Sequence, residues 1–282
     1  MTAQRSSRTE INRSDFPVDE QRRRAPLAQR PWVPVVVPIV VMIVWALLTH
    51  FEVVSRVLLP SPVDVGHALY QLVVDGELAH HLIPSLSRVL QGFVIGAGLG
   101  IALGFLVGMS DLARRALAAT FELLRPIPPI ALIPITLLWF GIGGLQAIVL
   151  IAFSTFWPVV LNTELGVREI PKLLSRAADV MEIRGWRYYI KIVLPAALPK
   201  ILVGLRIGSA IALIVMVATE MVAAPQGIGF LIINAQRTFE TPTMYAGIIV
   251  ISALGYIINL IMVHVERLAL PYSRLKKTGE SR

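Results

Sequence analysis

Apolar residues run along this chain in six long blocks, separated by short polar and basic interruptions, at residues 33–48, 82–109, 116–140, 145–161, 201–224 and 244–265. A helix crosses the hydrocarbon layer of a bilayer with about 20 mostly apolar residues, and these blocks approach or exceed that length with few charges. The pattern predicts an all-α integral membrane protein of about six transmembrane helices. Lys and Arg collect in the interruptions that lie on one side. Arg5, Arg8, Arg13 and Arg22 precede the first block; Arg114 and Arg115 follow the second; Arg168, Lys172, Arg176, Arg184, Arg187, Lys191 and Lys200 follow the fourth; and Arg267, Arg274, Lys276 and Lys277 end the chain. Because basic residues accumulate in cytoplasmic loops, both termini are expected in the cytoplasm.

This divides the chain into a disordered cytosolic tail (1–31), a six-span domain (32–266) and a basic cytosolic tail (267–282). The tail of 1–31 is rich in Arg, Ser, Asp and Glu and lacks a cleavage pattern, so the first block reads as an uncleaved span. The loop 162–200 is the longest polar interruption between spans. Within it Leu173, Leu174, Ala177, Ala178 and Met181 recur at helical spacing, and Gly185 permits a break. A second short helix from Trp186 would then run into Pro195. Outside, Ser61, Pro62 and Asp64 form the start signal of a further short helix ending near Leu72.

Composition agrees with a membrane protein. A chain of 282 residues that is 55% hydrophobic and only 16% charged cannot enclose its apolar surface in one soluble core. The net charge of +8 sits at the interruptions and ends, so topology accounts for it without nucleic acid. The absence of cysteine excludes a disulfide framework and Cys-rich zinc sites. No phosphate-binding Gly-x-x-x-x-Gly-Lys-Ser/Thr loop and no His-Glu-x-x-His pair occurs, so neither ATP binding by that route, nor a metal site, nor a catalytic site is expected in this chain.

Three features inside the blocks point to a packed and working bundle. Gly92, Gly96, Gly100, Gly104 and Gly108 recur every four residues and form a smooth ridge for close helix packing. Arg125, Pro126, Pro128 and Pro129, followed by Pro134, interrupt the third span, and such breaks commonly line a cavity. Charges at membrane depth are costly without partners or water, which singles out Glu122, Arg125, Arg206 and Glu220. Glu220, beside Met221, is expected at the pathway, its gate or a dimer interface. Arg125 is expected to pair with Glu122 or to reach the membrane surface.

The loop after the fourth span carries Arg176-Ala177-Ala178-Asp179, then Glu182, then Gly185-Trp186, then Leu194-Pro195-Ala196-Ala197-Leu198-Pro199. This resembles the "EAA" coupling loop of type I ABC importer permeases. Leu59-Pro60-Ser61-Pro62, Ser85-Leu86-Ser87-Arg88-Val89, Leu124-Arg125-Pro126-Ile127-Pro128-Pro129, Leu138-Trp139-Phe140-Gly141 and Ala218-Thr219-Glu220 with Gly227-Ile228-Gly229 are similar to the branch that imports aliphatic sulfonates, taurine and nitrate. The chain departs from the family at Arg176, where Glu is usual, and at Glu182, where Gly is usual.

The resemblance implies a permease subunit in the bacterial inner membrane, paired with an identical copy. It also implies two ATPase subunits that carry the ATP and Mg, and an extracytoplasmic solute-binding protein. Substrate would pass by alternating access through a cavity lined by the broken third span and the fifth span. The alternative is an ion-coupled secondary transporter, with Glu122 or Glu220 carrying protons and no ATPase.

Overall fold

The computed structural model describes residues 33–270; the N-terminal tail and the end of the basic C-terminal tail lie outside them. Among the described residues the chain is helical throughout, with no strand. Two units are distinct. The first, ending at Val53, contains α1 (Val33–His50), apolar on all sides, with Pro38 within it and a Thr49 hydroxyl that donates back to the carbonyls of Trp45 and Ala46.

The second unit begins with α2 (Pro62–Val74), which starts at the expected signal. The Ser61 hydroxyl accepts from the Asp64 N–H, the Asp64 carboxylate accepts from the Ser61 N–H, and Pro62 occupies the first turn. These hydrogen bonds hold the Asp64 carboxyl below the usual aspartate range. Then come α3 (Glu77–Met109), α4 (Asp111–Leu124), a 3₁₀ turn (Pro129–Leu132), α5 (Ile133–Phe140) and α6 (Gly144–Arg168). They are followed by α7 (Lys172–Val180), α8 (Trp186–Tyr188), a π-helical turn (Tyr189–Val193), α9 (Leu194–Ala223), α10 (Ile228–Arg237) and α11 (Thr241–Ala269).

Four helical stretches are long and apolar enough to cross a membrane: α3, α6, the continuous run Trp186–Ala223, and α11. The pair formed by α4 and the Pro129–Phe140 helix makes a fifth, bent by 80° at its break. The apolar stretch Val36–His50 of α1 is shorter than these. The expected third span is therefore two helices joined at a corner. Pro126, Pro128 and Pro129 remove backbone donors there, whereas Pro134 falls in the first turn of α5, where a missing N–H costs nothing.

The spans are also longer than the apolar blocks. α6 runs on to Arg168 and the fifth span begins at Trp186, so the polar loop narrows from 162–200 to 169–185. Pro195 does not end a helix. The Leu194 N–H reaches the Tyr189 carbonyl in a widened turn, which leaves room for the proline ring, and the helix continues. α11 likewise passes the expected domain boundary, with Arg267 in its last turn, where a cation suits the helix dipole. The α10 helix lies in a segment that its hydrophobic pattern left as loop.

α6 is the centre of this unit, lying between α3 and α9. Val89, Ile133, Ala147, Leu150, Ile151, Ala212, Val215 and Met216 form the main core between α3, α5, α6 and α9. A second cluster, Val167, Val193, Ala197 and Ile201, closes the other end. The glycine ridge of α3 lies directly on α6. A Cβ added at Gly96 would stand 2.3 Å from the Ala152 carbonyl oxygen, and one at Gly104 would stand 2.5 Å from the Thr163 Cβ. The same holds at Gly92 against Ile151, at Gly100 against Val159 and at Gly108 against Val167. Two backbones approach this closely only where no side chain separates them.

Gly98, on the same helix, has open space where its Cβ would stand. Gly96→Ala is therefore expected to lower stability by about 1–3 kcal/mol through overpacking against backbone, while Gly98→Ala leaves it unchanged or raises it slightly. Thermal unfolding of the detergent-solubilised protein measures both; equal melting temperatures would show that the ridge is not a tight contact.

Candidate functional site

Three places carry polar chemistry. The first is a buried network where the Glu77 end of α3 meets the corner between α9 and α10. His81, Ser85 and Arg88 follow one another at helical spacing and share the face of α3 that continues into Gly92. Arg88 Nη1 donates to Glu220 Oε1 at 2.7 Å and to the Gln226 carbonyl at 2.7 Å. The Ser85 hydroxyl lies 2.8 Å and 2.9 Å from the two oxygens of Glu220, and it accepts from the Ile228 N–H at 2.9 Å. Gly229 N–H donates to Glu220 Oε2 at 3.1 Å, and Gly227 N–H donates to His81 Nδ1 at 3.1 Å.

The charged pair is buried, with Glu220 1% and Arg88 6% exposed, while the bond to the Gln226 carbonyl is only partly covered. In a low dielectric such a carboxylate is tolerable only when ion-paired and hydrogen-bonded on both oxygens. The corner has been shaped around it. Gly227 adopts φ +134, and a Cβ there would fall 2.3 Å from the Glu220 carboxylate; a Cβ at Gly229 would press on the Val217 carbonyl oxygen. Gly144, at the start of α6, leaves room for the Arg88 side chain. Glu220 thus sits in a fixed ion pair that ties α9 and α10 to α3. It lines none of the cavities described below, and Met221 beside it is half-buried.

The second place is the break in the third span. Arg125 lines a cavity of about 500 Å³ together with Arg114, Phe121, Glu122 and Glu164. It also lines an adjacent cavity of about 300 Å³ with Ile127, Pro129, Ser154 and Trp157. Arg125 and Glu122 are both exposed and make no ion pair with one another, contrary to the expected pairing, although both line the larger cavity. Arg114 pairs instead with Asp111, and Glu164 with Arg168. Pro126 and Pro128 are exposed and Pro129 is half-buried at the corner. Arg206 lies elsewhere, on α9, held by Asn259 and Glu266 of α11.

The third place is the segment between α6 and α9. α7 buries Ala178 completely but leaves Leu173, Val180 and Met181 exposed, together with Arg176, Ala177 and Asp179. Trp186, just after Gly185, is 75% exposed. The end of α7 is a left-handed cap: Ile183 N–H donates to the Ala178 carbonyl at 2.9 Å, Glu182 N–H to the Asp179 carbonyl at 3.1 Å, and Glu182 itself has φ +53. That geometry favours glycine, the residue that the family resemblance expects at this position. The bend falls at Glu182 and again at Gly185, which has φ +59. Leu194 and Pro195 are exposed where the fifth span emerges from this segment.

The family pattern carries Arg88 within Ser85-Leu86-Ser87-Arg88-Val89 but does not pair it with Glu220. Its signal was present in the register: His81, Ser85, Arg88 and Gly92 fall on one face, so a polar face turns into a packing ridge along one helix. Nothing local reveals that Gly227 and Gly229 would close over the carboxylate, because that contact joins residues nine or fewer positions apart around a corner that only the packing of α10 creates.

A helical membrane bundle with a broken span, a glycine-packed centre and a protruding helix between its two central spans defines a membrane-embedded transport permease. The model of the family described as binding-protein-dependent transport system inner membrane component matches residues 96–270, and the chain belongs to that family, the permease subunits of ABC importers. A permease of Bacillus subtilis (strain 168) named for aliphatic sulfonate transport, SsuC, is 35% identical over 235 residues, covering 83% of this chain and 85% of that one. The taurine transport system permease protein TauC of Escherichia coli (strain K12) is 32% identical over 254 residues, covering 88% and 92%. A chain of the inward-facing MetNI methionine ABC transporter superposes with a TM-score of 0.59 over 68% of this chain and 95% of that one; at 22% identity it shows the shared fold.

Two outcomes follow from the geometry. Arg88→Ala leaves the Glu220 carboxylate buried without its cation and is expected to cost about 3–5 kcal/mol, read as a large fall in melting temperature. Glu182→Gly removes a left-handed strain of about 1 kcal/mol and is expected to slow amide exchange in α7 about fivefold; faster exchange would mean that the Glu182 side chain, not its backbone, holds the cap.

Proposed function

We propose that this permease works as a pair of identical copies, with one ATPase subunit bound beneath each and a solute-binding protein delivering substrate from outside. Both termini and the α7 segment face the cytoplasm, in keeping with the basic residues at Arg168, Arg176, Arg184, Arg187 and Lys191. The observation that carries the reading is α7 itself. It is a short helix between two spans, anchored through Ala178 and offering Leu173 and Val180 to a partner, with Met181 and Trp186 exposed just beyond it. Exposed apolar groups flanked by Arg176 and Asp179 suit docking into a cleft. ATP and Mg belong to the partner subunit, and closure of the ATPase pair would move α7 and, through the continuous Trp186–Ala223 helix, the wall of the pathway.

The substrate is a small organic or inorganic anion such as a sulfonate, taurine or nitrate, a class supported by the names of the SsuC, TauC and NrtB relatives. Substrate passes by alternating access along the broken third span and α9. The Arg88–Glu220 pair keeps the α9–α10 corner rigid while this happens, so Glu220 acts in gating as a fixed counterion and not as a proton carrier. Glu220→Gln at full transport and full coupled ATP hydrolysis would remove that role.

Gentle solubilisation of the tagged protein followed by mass spectrometry is expected to recover an ATPase subunit with a phosphate-binding loop. Leu173→Asp or Val180→Asp is expected to reduce that recovery at least tenfold with an unchanged melting temperature, since both side chains are exposed. A chain that purifies alone and moves solute in vesicles without ATP would overturn the ATPase-coupled reading.

A further inference from the structure

A groove between α9 and α11 lies apart from the cavities at the broken span and from the α7 surface. It encloses about 500 Å³ and is walled by Leu213, Ile214 and Val217 of α9 and by Ile251, Gly255 and Ile258 of α11. Its polar groups gather at one end. Ser209 there is buried and its hydroxyl donates to the Arg206 carbonyl, so the Arg206 guanidinium and the Asn259 amide form the mouth.

Arg206 is positioned there without being fully neutralised. Its Nε and Nη2 donate to Asn259 Oδ1 at 3.3 Å and 3.2 Å, while Nη1 stands 3.5 Å from Glu266 Oε2, beyond the roughly 2.7–2.9 Å of a strong charge-assisted bond. The Arg206 side chain remains 46% exposed. Arg267, next to Glu266, is exposed and pairs with no carboxylate among the described residues. It follows Asn259 by about two turns and so lies toward the same side of α11. Two cations against one carboxylate leave this end with a surplus of positive charge.

Depth and length narrow what fits. From Arg206 to the Ala223 end of α9 the helix rises about 26 Å, close to the roughly 30 Å thickness of a hydrocarbon layer, so the cation stands where hydrocarbon gives way to headgroups. From Arg206 to Val217 the apolar wall runs about 17 Å, little more than one leaflet. α11 is also the least covered of the four long spans, with 11% of its apolar stretch buried against 33% or more in the others, so this side meets lipid or another chain. The surplus charge favours a phosphate over the apolar face of a further helix.

We propose that the α9–α11 groove binds an anionic phospholipid of the cytoplasmic leaflet, one acyl chain lying between Leu213 and Ile258 and the phosphate held by Arg206 and Arg267. The leaflet rests on the reading that the α7 segment and both termini face the cytoplasm. Gly255 keeps the groove open: a Cβ there would meet only Leu213 Cδ1, at 3.6 Å, and a longer side chain would enter the space assigned to the acyl chain. The lipid bridges α9 and the last span, so the headgroups of the surrounding membrane set how firmly the two are joined.

The test uses the intact transporter complex in lipid nanodiscs and phosphatidylglycerol with a photoreactive group at the end of one acyl chain. Peptide mass spectrometry is expected to find the label in residues 213–217 or 251–255, about fivefold more than with phosphatidylcholine carrying the same group. Arg206→Gln should lower the labelling about fivefold and Arg206→Lys should recover part of it. Gly255→Leu, which leaves both arginines in place, should abolish it with little change in melting temperature.

Equal labelling by the two lipids, or full labelling of Arg206→Gln, overturns the selection by charge. Full labelling of Gly255→Leu overturns the groove as the site. Displacement of the probe by inorganic phosphate as readily as by unlabelled phosphatidylglycerol overturns the part assigned to the acyl chain. The chain has no cysteine, so a disulfide joining two copies through Ile214→Cys would show that a second copy covers the groove and would overturn the lipid. Reaction of Leu268→Cys, exposed on α11, with an impermeant maleimide outside intact cells would overturn the cytoplasmic orientation and the leaflet, and leave the occupant of the groove standing.

Discussion

Everything in the described bundle depends on the backbone contact between α3 and α6. Lipid tails are as apolar as leucine, so in a bilayer two helices gain little from hiding apolar side chains; they associate through close packing and polar contacts. The ridge from Gly92 to Gly108 brings α3 against α6 with no side chain between the backbones at Gly96 and Ala152. With α6 seated in that way, an adjacent face, sharing Val159, receives α9 through Gly204 and Gly208, where Asn162 and Thr155 stand in the corresponding close positions. One helix thereby fixes two others, and the main core closes around Ile151, Ala212 and Met216.

The same face of α3 changes character toward Glu77. Where the ridge ends, Arg88, Ser85 and His81 replace glycine, and packing gives way to charge. A buried ion pair is weak evidence for stability compared with apolar packing, but it discriminates strongly among arrangements, because any shift of α9 or α10 would strand a charge in a low dielectric. The Glu220 carboxylate receives bonds from α3 and from the start of α10, and Arg88 adds the Gln226 carbonyl. This end of the bundle is held by directional contacts. The opposite end, where α7 and the π turn join α9, is held by few buried groups and exposes much apolar surface.

Between them lies the broken span. Its prolines place a corner in the bundle, and the corner leaves space on both sides of Arg125. A straight helix would have filled that space with its own side chains. The break therefore creates the cavity and also delivers a cation into it, two consequences of one short run of residues.

The chain's apolar blocks were enough to read an all-helical membrane protein, and the four-residue glycine period, the proline run and the Ser61–Asp64 start signal were each legible because they act within one helix or one turn. The segment between α6 and α9 carries a family pattern, and the left-handed Glu182 explains in backbone terms why glycine suits that position. The ends of the spans were not legible, since α6 and the Trp186–Ala223 run continue through polar residues that helical hydrogen bonding and neighbouring packing sustain beyond the apolar core. Nor were the partners of Glu220. Those depend on which faces of α3, α6, α9 and α10 meet, and a buried charge takes its meaning from groups brought to it across 132 residues of chain, as Arg88 is brought to Glu220.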